Sequence, residues 1–87
     1  MRMVINVNST TTLFDVDELT DIQCEKILND VYESLEERGY NPINQLTGYL
    51  ISGDPGYISN HREARSKISS IERDKIISFL LRKNFNK

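Results

Sequence analysis

From Asp21 to Arg38, the apolar residues Ile22, Cys24, Ile27, Leu28, Val31 and Leu35 recur at spacings of three and four on an otherwise acidic background. This pattern predicts a helix with one core face and one wet face. Thr20 with Gln23 three residues on fits a capping box, and Leu19 before it is placed to staple onto Cys24, so the helix is expected to start near residue 20. Gly39 is suited to the positive φ that closes it. Asn41 then offers a side-chain acceptor to the free N–H groups of a second helix, and Pro42 fits that helix's first turn. In this second helix Ile43, Leu46, Thr47 and Leu50 form one stripe, while Tyr49 and Ile51 put apolar surface opposite, which predicts burial on two sides. The punctuation then repeats, with Gly53 as stop, Asp54 as N-cap and Pro55 at the first position of a short turn over 54–58.

His61 to Lys83 reads as helix, but the stripe Ala64, Ile68, Ile71 is out of phase with Ile76, Ile77, Leu80, Leu81. Ser69 and Ser70 are poor helix-interior residues, and Ser69 with Glu72 makes a second capping box. A short helix to about residue 68 and a longer one from about residue 71 are therefore expected, with an uninterrupted bent helix as the alternative. Residues 1–14 carry no helix signal and alternate only weakly, as a flexible N-terminal arm does, and residues 15–87 form a single helical domain. The fold class is all-α, a small domain of about four to five helices including the turn at 54–58.

At 87 residues the chain is one domain, and its small size leaves a core of marginal stability, which favours a homodimer. Its 38% apolar content, ten isoleucines and absence of tryptophan describe an aliphatic core. There is no apolar run of membrane-spanning length and no secretory signal pattern, so a cytoplasmic protein is expected. Cys24 falls on the core face and reads as a buried structural thiol. The net charge of −2 hides an asymmetry: residues 15–37 hold nine acidic side chains and one lysine, residues 60–87 eight basic and three acidic. Two oppositely charged faces that attract one another, within the fold or across a dimer, account for this. The sharper reading is a basic surface for an anionic partner.

Catalytic chemistry is thin. One histidine, one cysteine and no glycine-rich phosphate loop leave no metal cluster or nucleophile triad, and no cofactor is expected. The carboxylates of residues 15–37 lie on a wet face where nothing raises a pKa, Asp54 is explained as a cap, and His61 reads as exposed. The remaining candidate is Ser9-Thr10-Thr11-Thr12, four hydroxyls in the arm ahead of an acidic segment. A phosphate there would add about −1.5 to −2 charge, within tether reach of arginines.

The run Val31-Tyr-Glu-Ser-Leu-Glu-Glu-Arg-Gly-Tyr-Asn-Pro-Ile-Asn-Gln-Leu-Thr-Gly-Tyr-Leu-Ile-Ser-Gly-Asp-Pro-Gly-Tyr-Ile58, with Ala64-Arg65 and Glu72-Arg73-Asp74 after it, closely resembles the IreB/ReoM family of small regulatory phosphoproteins of low-GC Gram-positive bacteria. The likeness runs from about Thr11 to about Leu81. It implies a non-enzymatic, all-helical homodimer that is the substrate of a transmembrane Ser/Thr kinase with extracellular PASTA repeats, opposed by a phosphatase. It further implies control of peptidoglycan synthesis, in some members through Clp-dependent degradation of the first committed enzyme. Counting back from Val31-Tyr32, the resemblance puts the phosphorylated threonine at Thr11, with Thr10 and Thr12 as alternates. A second phosphothreonine of some members falls here on Asn8. The arginines implicated in family function fall on Asn60, Arg65, Ser69, Ser70 and Arg73, so Arg65 and Arg73 are kept, with Arg62 and Lys67 as nearby substitutes. The expected partner surface is Arg65, Arg73 and Arg62. The alternative function is a small nucleic-acid-binding regulator using the basic C-terminal region.

Overall fold

The computed structural model describes residues 16–85. Four α-helices follow one another: α1 (Val16–Glu37), α2 (Pro42–Ser52), α3 (Ala64–Ser69) and α4 (Arg73–Phe85), with 3-10 turns at Pro55–Tyr57 and His61–Glu63 between α2 and α3. No strand occurs among the described residues. The expected hydroxyl cluster, including Thr10, Thr11 and Thr12, lies outside them.

The helix punctuation forms as its chemistry requires. Gly39 takes φ +82°, the Tyr40 amide donates to the Leu35 carbonyl at 3.0 Å, and the Gly39 amide donates to Glu36 at 3.0 Å. These two bonds satisfy the end of α1 in a Schellman arrangement. At the next start, Asn41 Oδ1 accepts from the Asn44 amide at 3.1 Å with Pro42 in the first turn. Gly53 then ends α2 at φ +78°, and Asp54 Oδ1 accepts from the Gly56 amide at 2.8 Å ahead of the Pro55 turn.

Four expectations need correction. α1 begins at Val16, so Thr20 and Gln23 lie inside the helix rather than at its cap, and Leu19 is 46% exposed. The acidic residues early in α1 suit the positive end of a helix dipole, which extends the helix beyond the polar signal read as its start. α2 is not buried on two sides: Tyr49 is buried, but Ile43 and Ile51 are 60% and 78% exposed. The helix expected from His61 begins instead at Ala64, because Arg62 and Glu63 both have positive φ. The break between α3 and α4 is real but displaced. Ser69 ends α3, Ser70 Oγ donates back to the Lys67 carbonyl at 2.7 Å, and the carbonyl of Glu72 accepts from Lys75 and Ile76 to open α4.

Cys24, Val31 and Leu35 of α1, Tyr49 of α2, Ala64 and Ile68 of α3, Ile76 and Phe79 of α4, and Ile58 and Ile71 between the helices make the core. Cys24 is fully enclosed, and burial pushes its thiol pKa up, as expected of a structural cysteine. Ser34 is the anomaly: its Oγ is buried without a hydrogen-bond partner. Ser34→Ala is therefore expected to raise stability by about 1 kcal/mol, from the relieved desolvation and better helix propensity. A lower midpoint in urea for the variant would show that the hydroxyl has a partner after all.

Charge asymmetry is resolved within the fold. Arg82 pairs with Asp21, Lys83 Nζ with Glu25 at 3.2 Å, Lys67 Nζ with Asp30 at 3.6 Å, and Arg62 with Glu37 at 3.2 Å and Glu33 at 3.7 Å. The pairs run antiparallel, with the end of α4 beside the start of α1 and residue 62 beside its end. Each exposed pair is worth only about 0–1 kcal/mol, so their value lies in register more than in strength.

Candidate functional site

The turn between α2 and α3 is held from three sides. Gln45 Nε2 donates to the Tyr57 carbonyl at 2.9 Å, fixing the turn to α2, and the Tyr57 ring packs against Gly48, where a Cβ would come 2.4 Å from the nearest ring carbon. Arg65 Nε is shared between the carbonyls of Pro55 and Ile58, at 3.2 and 3.0 Å. Arg73 Nη1 donates to the Leu50 carbonyl at 3.1 Å, and its guanidinium covers Gly53 so closely that a Cβ there would stand 2.8 Å from Cζ. Two arginines distant in sequence thus bracket Gly53-Asp54-Pro55-Gly56-Tyr57. Among the described residues both contact carbonyls rather than carboxylates, which leaves their charge unpaired there, and the carbonyl bonds of Arg65 use Nε rather than its two Nη groups.

Arg62 stands apart from this pair. Its guanidinium faces the end of α1, where Glu37 is gripped from two directions: His61 Nε2 lies 2.7 Å from Oε1 and Arg62 Nη1 lies 3.2 Å from Oε2. The hydrogen bond from His61, with the charge of Arg62, holds the Glu37 carboxyl below its ordinary pKa. His61 is half-buried and bonded, which corrects its reading as merely exposed. The backbone delivering these groups is unusual, with Arg62 at φ 56°, ψ 28° and Glu63 at φ 60°, ψ 29°. Left-handed conformations at non-glycine residues cost about 1–3 kcal/mol each. Arginine and glutamate carry no sequence signal for them, so neither this turn nor the grip on Glu37 is legible in the sequence.

Asn60 supplies a backbone carbonyl to Glu63, and Ser70 caps α3. Arg62, Lys67, Arg82 and Lys83 all face carboxylates of α1, which leaves little free positive surface for a nucleic acid. Among the described residues, no group of His, Cys, Asp or Glu has a metal-holding arrangement, and no helix is long and apolar enough to cross a membrane.

The family model described as IreB regulatory phosphoprotein matches residues 9–86. This chain belongs to the IreB family. A UPF0297 protein of Acetivibrio thermocellus is 47% identical over 75 residues, covering 86% of this chain and 83% of the relative. For an IreB-family regulatory phosphoprotein, the match encompasses the hydroxyl run 9–12, both arginines of the turn, and the Gly39 to Tyr57 segment that sets the hinges.

Proposed function

We propose that this IreB-family chain is a non-enzymatic cytoplasmic phospho-switch, phosphorylated on Thr11 by a PASTA-type Ser/Thr kinase and reset by a phosphatase. Its phosphorylation state controls peptidoglycan synthesis, through Clp-dependent degradation of the first committed enzyme. The observation that carries this reading is the match to a regulatory phosphoprotein family across a segment containing Ser9-Thr10-Thr11-Thr12. The turn bracketed by Arg65 and Arg73 is the partner surface, since among the described residues its guanidiniums meet backbone carbonyls rather than carboxylates. Incubation with the cognate kinase followed by mass spectrometry is expected to find phosphate on Thr11. Phosphate confined to positions outside residues 9–12 would sink the assignment.

The chain acts as a homodimer in this reading. Leu28, Tyr32, Ile43, Leu46, Leu50 and Leu80 line an apolar hollow of about 250 Å³, and exposed Ile77, Leu81 and Phe85 extend the apolar surface along α4. A surface of this kind is costly to leave in water on so small a protein. Light scattering is expected to give twice the chain mass of 10.1 kDa at micromolar concentration. A mass of one chain at that concentration counts against the dimer.

A further inference from the structure

Two departures from ordinary helix chemistry meet at one point. α1 ends with Glu36 and Glu37 and has no basic residue in its last turn, the wrong charge for the negative end of a helix dipole. Facing that end is a pair of adjacent left-handed residues, neither a glycine. Side chains of neighbouring residues ordinarily diverge, by about 100° around a helix or to opposite faces of a strand. Here the side chains of Arg62, the first of that pair, and of His61, the residue before it, converge, and the two donors take the two oxygens of a single carboxylate. Conflicts with local preference concentrate where sequence serves binding rather than folding.

We propose that His61 and Arg62 form an anion-binding site, which α1 closes with its own Glu37, and that a phosphothreonine delivered by another molecule takes Glu37's place. An imidazole and a guanidinium on separate oxygens of one group is a geometry that a phosphomonoester satisfies as well as a carboxylate, and with more charge. The site is open enough for exchange, with side chains 29% exposed at His61, 37% at Arg62 and 52% at Glu37. Glu33, 3.7 Å from Arg62, shares the guanidinium and raises the barrier to any incoming anion. Weak monoanions are thereby rejected.

The phosphate does not come from the same chain's Thr11. Twenty-one helical steps separate Val16 from Glu37, about 31 Å, while five extended residues from Thr11 to Val16 span at most about 17 Å. The donor is the arm of a second copy, or a phosphothreonine on another protein. This site rests on the phosphoprotein reading above, but it can fail independently of it.

The test uses the full chain carrying Thr11→Ala and a peptide of residues 6–16 phosphorylated at Thr11, followed by chemical shifts of residues 61–64. The phosphopeptide is expected to bind and the unphosphorylated one not. Glu37→Gln removes the internal competitor and should tighten binding about two- to fivefold, the equilibrium weight of one exposed ion pair. Arg62→Ala should abolish binding, and Arg62→Lys, which keeps the charge without the planar fork, should weaken it. A scrambled phosphopeptide that binds equally supports the site and assigns recognition to the phosphate alone; preference for the native peptide assigns it to a second copy's arm. Unchanged affinity in Glu37→Gln, retained affinity in Arg62→Ala, or no binding to either form overturns the proposal. Kinase labelling of Thr11 is read separately, so a labelled Thr11 with no phosphopeptide binding removes this site and leaves the phospho-switch standing.

Discussion

Ile58→Ala is expected to destabilise the fold by about 2–5 kcal/mol, the cost of emptying a fully enclosed aliphatic site. Ile58 is completely buried, yet it belongs to no helix, following directly on the Pro55–Tyr57 turn. Its side chain anchors that turn in the core while its carbonyl accepts from Arg65 Nε at 3.0 Å. Removing the anchor thus loosens both the packing and the backbone on which Arg65 is aligned. For a domain of this size the loss is a large share of a total stability of about 5–10 kcal/mol. The check is a shift of the urea midpoint at unchanged slope, with Ile51→Ala as control. Ile51 is 78% exposed, and its truncation should change stability by less than about 0.5 kcal/mol. Equal effects from the two variants would contradict the assigned core.

The second large effect is expected from Gly53→Val, at about 2–4 kcal/mol. The φ of +78° at Gly53 is left-handed, which costs a β-branched residue about 1–3 kcal/mol. The new Cβ would also stand 2.8 Å from Arg73 Cζ, driving the guanidinium off the Leu50 carbonyl and losing a hydrogen bond worth about 1 kcal/mol. Arg73→Ala alone should cost only about that 1 kcal/mol, since the carbonyl it leaves is at an exposed helix end where water replaces it. A double-mutant cycle separates the two contributions. The valine should cost less in the Arg73→Ala background than in the parent, because the guanidinium it clashes with is gone. Strict additivity would show that the Gly53 requirement is conformational only and that Arg73 does not rest on it.

Much of this fold was legible because its helix ends are written in residues with narrow conformational uses. Gly39, Asn41, Pro42, Gly53, Asp54 and Pro55 all perform the local roles their chemistry suggests. The errors fall where tertiary contact outweighs local preference. α1 extends four residues past its apparent cap, and α4 opens on the Glu72 backbone carbonyl rather than at the apparent capping box of Ser69. The apolar residues of α2 indicated burial without saying whether this chain supplies the cover, and Ile43 and Ile51 remain exposed. At the candidate site, Arg65 and Arg73 came from family resemblance, and their convergence on one turn is long-range information that no spacing encodes. The left-handed pair at Arg62 and Glu63 was unreadable for a different reason. Neither residue favours that conformation, and no local pattern announces the Glu37 and Glu33 carboxylates that Arg62 meets across the fold.

The antiparallel pairing of α1 with the far end of the chain has a consequence for synthesis. Asp21 is translated 61 residues before the arginine it pairs with, and Glu25 precedes Lys83 by 58. While the chain is being made, Asp30, Glu33 and Glu37 can meet Lys26, Arg62 and Lys67, but Asp21 and Glu25 near the start of α1 stay uncompensated until α4 leaves the ribosome. Emergence of α4, rather than growth of α1, is the event that lets this end of the domain close.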